Sequence, residues 1–82
     1  MKKNDKVLIR TLTYFLTGKI TKIENGFVHL KEAAWIGDTG RFANAIKNGT
    51  LSEIEPVETC EINLQNIIDV FPWKHPLPRE QK

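Results

Sequence analysis

The sequence predicts a mainly β domain: a small, five-stranded, strongly bent barrel with one short helical insertion. Several runs rich in Val, Ile, Thr, Tyr and Phe alternate with period two, as half-buried strands do. An Asn-Gly pair joins two of these runs, which is a strong local signal for a tight hairpin. The chain has 82 residues, enough for one domain that hides only about 60% of its unfolded surface. A compact barrel is the expected way to bury a core in so short a chain.

The first strand is predicted over residues 6–17, KVLIRTLTYFLT. Apolar side chains fall on both of its faces, so the strand either bends or is covered on both sides. Gly18 follows this run. A glycine inside a strand usually marks a bend, a bulge or a close backbone approach.

The Asn25-Gly26 pair predicts a two-residue type I′ turn, because both residues tolerate the positive φ that this turn requires. Pairing outward from the turn gives four cross-strand pairs: Glu24 with Phe27, Ile23 with Val28, Lys22 with His29, and Thr21 with Leu30. The pairs of Ile23 and Thr21 are expected to face the core. Lys22 and His29 are expected to face outward together, and the first β region extends over residues 6–36.

Residues 38–49 predict the helical insertion, with a helix over about residues 40–47. Asp38 or Thr39 is expected to cap its N-terminus. The Asn-Gly pair at 48–49 suits its C-terminus, because both residues accept the left-handed conformation. Three apolar residues have helical spacing and are expected to pack on the barrel or on a neighbouring subunit: Phe42, Ala45 and Ile46.

The last third of the chain predicts a connector, two strands and a tail. Residues 50–56 are expected to be a connector, in which Pro56 discourages helix at Glu55. Residues 57–72 then give two C-terminal strands around a short corner at Gln65-Asn66, and Pro72 ends the ladder. Residues 73–82 predict an extended tail whose last four residues fray.

Two stretches resemble the motifs of Sm-like and Hfq-like proteins. The stretch Tyr14–Ala34 is similar to the first Sm motif, and Ile62–Val70 is similar to the second. The positions that match the first motif are Gly18, Ile20, Ile23, Asn25, Val28, Leu30, and Ala33 or Ala34. The resemblance implies an SH3-like or Sm-like small barrel, with subunits joined strand to strand in a ring. Gln65-Asn66 stands where Hfq-like proteins have a Lys-His pair, so no known RNA site is carried over.

Charge is segregated along the chain. Residues 1–31 contain seven basic and two acidic side chains, whereas residues 32–69 contain two basic and seven acidic ones. This segregation can produce a basic face that attracts phosphates, or two surfaces that attract each other between subunits. The alternative is that both sets are ordinary solvated strand faces.

The sequence predicts no enzyme. Cys60 is the only cysteine and has acidic neighbours, which disfavour a reactive thiolate. The two histidines, His29 and His75, are widely separated and lack metal-ligand spacing. No Gly-rich phosphate loop or pair of convergent carboxylates is recognisable. No catalytic residue, metal site or cofactor is therefore expected.

A non-enzymatic, oligomeric binding module is the predicted function, with single-stranded RNA or another nucleic acid as ligand. Such binding combines cations for the phosphates with flat apolar rings for the bases. Phe27 and Trp73 are expected to be exposed for stacking, whereas Tyr14 and Trp35 more often belong to a core or a subunit contact in such domains. The alternative for residues 73–76 is an anchor that packs across the barrel mouth, which is the commoner role of such a segment. The candidate binding residues are Arg10, Lys19, Lys22, Phe27, His29, Lys31, Arg41 and Trp73.

The alternative function is a structural adaptor or scaffold subunit in a larger protein assembly. It requires only edge strands, an amphipathic helix and opposed charges. A homo-oligomer is expected in either case, because the core is small and the first strand is apolar on both faces. A further protein partner is open, and no apolar run approaches the length of a membrane span. The absence of a signal-peptide pattern favours a cytoplasmic location.

Overall fold

The computed structural model describes residues 1–82. Its elements follow one another in this order: β1 Lys6–Thr11, β2 Phe15–Glu24, β3 Phe27–Asp38, α1 Phe42–Asn48, β4 Glu53–Asn63, a 3-10 turn Leu64–Asn66, and β5 Ile67–Pro72. All strand pairs are antiparallel, and the strand order in the single sheet is β4-β3-β2-β1-β5. The predicted mainly β class, with five strands and one short helix, is confirmed.

The sheet has two edges, because no ladder joins β4 to β5. The 3-10 turn connects these two strands at one end of the sheet. There the Leu64 N–H donates to the Gly26 carbonyl at 2.9 Å, and the Leu12 N–H donates to the Asn66 carbonyl at 3.2 Å. The hydrogen-bonded sheet is thus open, whereas the sequence predicts a closed barrel.

The Asn-Gly hairpin between β2 and β3 is confirmed. Asn25 has φ 53° and Gly26 has φ 82°, as a type I′ turn requires. Three of the four predicted pairs are present: Glu24 with Phe27, Ile23 with Val28, and Lys22 with His29. The fourth is wrong, because a bulge at Thr21 places Ile20 opposite Leu30. Ile23 lies on the core face as predicted, directly opposite the buried Val28, but it is 40% exposed because it is close to the hairpin tip.

The predicted first strand, residues 6–17, is in fact two strands with a tight turn between them. The turn depends on the hydroxyl of Thr11, which donates to the Tyr14 carbonyl at 2.7 Å and accepts from the Tyr14 N–H at 3.1 Å. The Thr13 N–H also donates to this oxygen, at 3.3 Å. Threonine favours strands as well as such turns, so composition alone does not distinguish the two.

Gly18 lies inside β2 and is a point of close approach. A Cβ at this position would lie 3.0 Å from the Leu30 Cβ and 3.3 Å from the Lys31 carbonyl oxygen. The register between β2 and β3 shifts at the same place. Of the three roles expected for this glycine, the close approach and the bulge are confirmed.

The helical insertion is confirmed, but its cap differs from the prediction. Arg41 is the N-cap residue and contributes no side-chain hydrogen bond. Asp38 instead stabilises the preceding turn, since its carboxylate accepts the Gly40 N–H at 2.7 Å. Gly49 ends the helix as expected, with φ 75° and its N–H donated to the Ala45 carbonyl. Phe42 docks the helix between Phe15 and Phe71, with ring centroids 5.8 Å and 5.2 Å apart.

The predicted connector over residues 50–56 is wrong in its second half, because β4 begins at Glu53. Pro56 lies within this strand, opposite Ala34. A proline is acceptable there because β4 is an edge strand, whose outward backbone positions need no donor.

The sheet is covered on both faces, which resolves the question of the two apolar faces of its first strand. The inner core consists of Val7, Ile9, Leu16, Ile20, Val28, Leu30, Ala33 and Ile62. Side chains from both edge strands contact it, so the sheet curls around it. The outer core lies on the opposite face and consists of Leu8, Ala34, Ile36, Ala45, Leu51, Ile54 and Trp73. The second apolar face is therefore covered by α1 and the tail, and it no longer argues for a homo-oligomer.

The tail, residues 73–82, crosses the outer core. Trp73 is only 3% exposed, and Leu77 packs against the same core. The His75 Nε2 lies 2.7 Å from the Ile46 carbonyl oxygen of the helix. The predicted fraying is wrong, because the backbone of Lys82 pairs with Ile54 of β4.

The helix α1 has seven residues. No helix in the structure combines the length and the apolar character needed to cross a membrane.

Candidate nucleic-acid interface

Three lysines form a row across the outer face of the sheet. Lys6 of β1 is directly opposite Lys19 of β2, and Lys19 is directly opposite Lys31 of β3. Directly opposite residues share a face, with Cβ atoms about 5 Å apart, and like charges in these positions repel each other. We call these three residues the lysine row. It concentrates positive charge on three adjacent strands.

No carboxylate neutralises the lysine row. The four ion pairs of the molecule are Arg10–Asp69, Lys22–Glu24, His29–Glu61 and Arg79–Glu32, and none includes a member of the row. Lys6 has one fixed contact, in which its Nζ donates to the His75 carbonyl of the tail at 2.8 Å. On β4 the row continues with Thr59, which is uncharged. An anion bound at the row would therefore relieve the repulsion between its lysines.

The next outward-facing positions toward the hairpin tip are Lys22, His29 and Glu61, again directly opposite one another. Lys22 lies 3.2 Å from the Glu24 carboxylate, and the His29 Nδ1 lies 3.8 Å from Glu61. These acids reduce the positive charge beyond the lysine row. They set its boundary on the side of the hairpin tip.

Phe27 provides an exposed ring on the same face. It is two residues from His29 along β3, so both side chains point outward together with Lys31. Phe27 is 38% exposed, which confirms the expected exposure. An aromatic ring, an imidazole and an ammonium group thus follow one another along a single strand.

Arg10 and Arg41 do not join the lysine row. Arg10 is four residues from Lys6 along β1, roughly 13 Å, with the buried Leu8 between them. Its Nε donates to the Asp69 carboxylate at 2.6 Å, so its charge is already paired. Arg41 lies beyond the far end of β3, next to the helix.

Trp73 does not offer a stacking surface, and its expected exposure is wrong. It is 3% exposed in the outer core, and its Nε1 donates to the Pro76 carbonyl at 3.2 Å. The His75 ring contacts it edge-on, with ring centroids 4.9 Å apart. Burying a large apolar ring against an apolar sheet face is more favourable than leaving both in contact with water. Trp73 therefore packs on the outer face of the sheet.

Five of the predicted binding residues lie together on this face, and Lys6 was not among the predicted residues. The five are Lys19, Lys22, Phe27, His29 and Lys31. They lie on the Asn-Gly hairpin, whose pairing is readable locally. The position of Lys6 opposite Lys19 depends on the Thr11 turn, which has no Asn-Gly or Pro-Gly signal.

A second exposed surface lies on the inner side of β3. The rings of Tyr14 and Trp35 are 4.6 Å apart and tilted by 35°. Trp35 is 45% exposed and Leu12, in the adjacent turn, is 70% exposed. Tyr14 packs against the inner core, as expected, whereas much of the Trp35 ring reaches solvent.

A cavity of about 210 Å³ lies between the Thr11 turn and the end of β4. Cys60 lines it, and burial together with the nearby Glu61 carboxylate raises the pKa of its thiol. No group of three His, Cys, Asp or Glu side chains is arranged to hold a metal ion. The thiol is thus held in its protonated, weakly nucleophilic form.

No protein-family model matches the sequence, and no curated protein matches it.

Proposed function

We propose that the chain is a non-enzymatic binding module that takes single-stranded RNA or another nucleic acid on its outer face. The lysine row carries this proposal, because three lysines without carboxylate partners occupy directly opposite positions on adjacent strands. Phosphates bound at these positions would replace repulsion by attraction and release counterions. The exposed Phe27 ring supplies the apolar contact that a base requires.

The state of Cys60 supports a non-enzymatic role. Its raised pKa leaves little thiolate at neutral pH, and its closest titratable neighbour is an acid. Thiol chemistry is thus disfavoured in the cavity that Cys60 lines.

We further propose that the fold is a variant of the SH3-like or Sm-like small barrel. The strand order leaves β4 and β5 as edges, and a 3-10 turn connects them. Both edge strands contact the inner core, so the sheet is curled even though its ladder is open. Neighbouring copies can associate through such edges, which is how the predicted homo-oligomer would form.

Titration of a fluorescein-labelled oligouridylate tests the nucleic-acid function. At about 50 mM salt we expect binding that weakens by roughly 15-fold at about 200 mM salt, because phosphate contacts dominate the affinity. The double variant Lys19→Glu/Lys22→Glu should bind much more weakly and keep its thermal stability. Lys47→Glu on α1 is the matched control and should bind like the original chain. No measurable binding at low salt would refute the proposed function.

A structural adaptor is the second candidate, and the Tyr14–Trp35 pair favours it. An exposed Trp35 ring supported by the half-buried Tyr14, close to the exposed Leu12, is typical of the anchors of protein contacts. Native mass measurement tests this role, with a multimer expected for the original chain and a single 9.4 kDa species for Trp35→Ser. A single chain mass for both proteins would argue against self-association through this surface.

A further inference from the structure

We propose that a single nucleic-acid strand crosses β1, β2 and β3 at right angles, with consecutive phosphates on Lys6, Lys19 and Lys31 and its bases toward Phe27. This inference rests on the proposed function. It adds the path of the strand, the number of phosphate contacts and the side of the row on which the bases lie.

The path follows from the register. The lysine row runs perpendicular to the strands, and its members lie on adjacent strands about 4.8 Å apart, so their backbones span about 10 Å. This span suits a short run of phosphates on one strand. A ligand lying along one strand would meet only one member of the row, because each of the three strands contributes a single lysine to it.

The outer core blocks one side of this path. Leu8, Thr17 and Ala34 are the outward positions next to the row, and all three are buried. The tail lies beside Lys6. The Trp73 N–H donates to the Lys6 carbonyl at 2.9 Å, and the Lys6 Nζ donates to the His75 carbonyl. Bases cannot extend in this direction.

The hairpin side of the path is open and carries the rings. From Lys31 toward the hairpin tip, β3 presents His29 and then Phe27. A base next to a phosphate on Lys31 therefore meets the imidazole first and the phenyl ring next. Glu61 and Glu24 flank these rings and repel further phosphates. Phosphates are thus confined to the row and bases to the hairpin side. Unstacked bases are needed for this arrangement, which favours a single strand over a duplex.

Three phosphate contacts to a single strand predict a slope of about −2 for the logarithm of affinity against the logarithm of salt concentration. Removing one contact should make the slope shallower by about 0.7 and lower the affinity at 50 mM salt by about eightfold. The affinity should rise steeply with oligonucleotide length up to about four nucleotides and slowly thereafter, because longer chains add no contact of this kind.

The experiment measures binding of fluorescein-labelled oligouridylates of increasing length, at several salt concentrations, by fluorescence anisotropy. Three variants should each make the salt dependence shallower: Lys6→Gln, Lys19→Gln and Lys31→Gln. Phe27→Ala should lower the affinity without changing the slope. Lys47→Gln is the matched control and should leave the slope unchanged. The side chain of Lys31 forms no ion pair, whereas that of Lys6 holds the tail. Lys31→Gln therefore keeps the test valid if Lys6→Gln loosens the tail.

The two proposals fail in different ways. Binding whose slope is unchanged by all three row variants would overturn the path and leave the nucleic-acid function standing. A duplex that binds as tightly as a single strand of equal phosphate number would also overturn the path. The absence of any binding at low salt would overturn both proposals.

Discussion

Lys82 and Ile54 exchange two backbone hydrogen bonds, with the Lys82 carbonyl accepting at 2.9 Å and its N–H donating at 3.0 Å. This reciprocal pair attaches the tail to the edge strand β4. The same tail begins at the other edge strand, β5, and crosses the outer core between them. It thereby links the two edges of the open sheet on the face opposite the inner core.

Trp73→Ala is expected to lower the free energy of unfolding by about 3–5 kcal/mol, because it removes the largest side chain of the outer core. Trp73→Phe should cost less, since the ring volume is mostly kept and only the Nε1 bond to Pro76 is lost. Urea denaturation followed by circular dichroism measures both. The exposed neighbour Lys74→Ala is the control, with a change within about 0.5 kcal/mol. Equal effects of Trp73→Ala and Lys74→Ala would contradict the strapping role of the tail.

Alanine and asparagine are expected to rank in opposite order at Gly18 and Gly26. Alanine should destabilise less than asparagine at Gly18 and more than asparagine at Gly26. At Gly18 the available space is limiting, so alanine should cost about 1–3 kcal/mol and the larger asparagine more. At Gly26 the space is open but φ is +82°, so alanine should cost about 1–2 kcal/mol and asparagine less, because asparagine tolerates the left-handed region. Chemical denaturation of the four variants gives the comparison. The same order at both sites would show that one of these causes is misassigned.

Glu58→Gly is expected to stabilise the protein by up to about 1 kcal/mol. Glu58 has φ 69° in the exposed edge strand, and Glu32 of the neighbouring strand has φ 50°, so both glutamates occupy a conformation that favours glycine. Thr59→Gly next to it should instead destabilise, because an extended position gains nothing from glycine. Thermal unfolding of both variants tests this, and a lower melting temperature for Glu58→Gly would contradict it.

The stability of the protein is expected to fall as the pH rises above 9.0, the ordinary pKa of the Cys60 thiol. Burial and the Glu61 carboxylate raise this pKa in the folded state, so above pH 9.0 the unfolded chain loses a proton that the folded protein retains. The loss should continue until the pH passes the raised folded pKa. Cys60→Ala should lack this component, as measured by urea denaturation between pH 8 and 10.5. Identical pH profiles for the two proteins would contradict the assignment.

The parts of the fold that depend on short segments were predictable. Asn25-Gly26 specifies its hairpin through the φ values that both residues tolerate, and Gly49 ends the helix for the same reason. The turn after Thr11 was missed because a side-chain hydroxyl builds it from a residue that is equally common in strands. Pro56 misled the placement of β4, because its acceptance depends on that strand being an edge, which is a property of the whole sheet.

The candidate site was predictable to the same extent. Lysines and rings on one hairpin were assigned to one face from period-two alternation, and the register agrees for Lys22 and His29. Arg10 and Asp69 are far apart in sequence, so their pairing was not readable. The burial of Trp73 likewise depends on Leu8 and Ala34, which lie far from it along the chain.

The position of β1 between β2 and β5 has a kinetic consequence. The hairpin of β2 and β3 closes over a few residues, whereas β1 must meet β5, and Lys6 must meet Trp73, across most of the chain. Topologies dominated by such distant partners acquire their native contacts in milliseconds to seconds rather than microseconds. Folding of the chain is therefore expected to be limited by the pairing of its N-terminal strand β1 with its C-terminal strand β5.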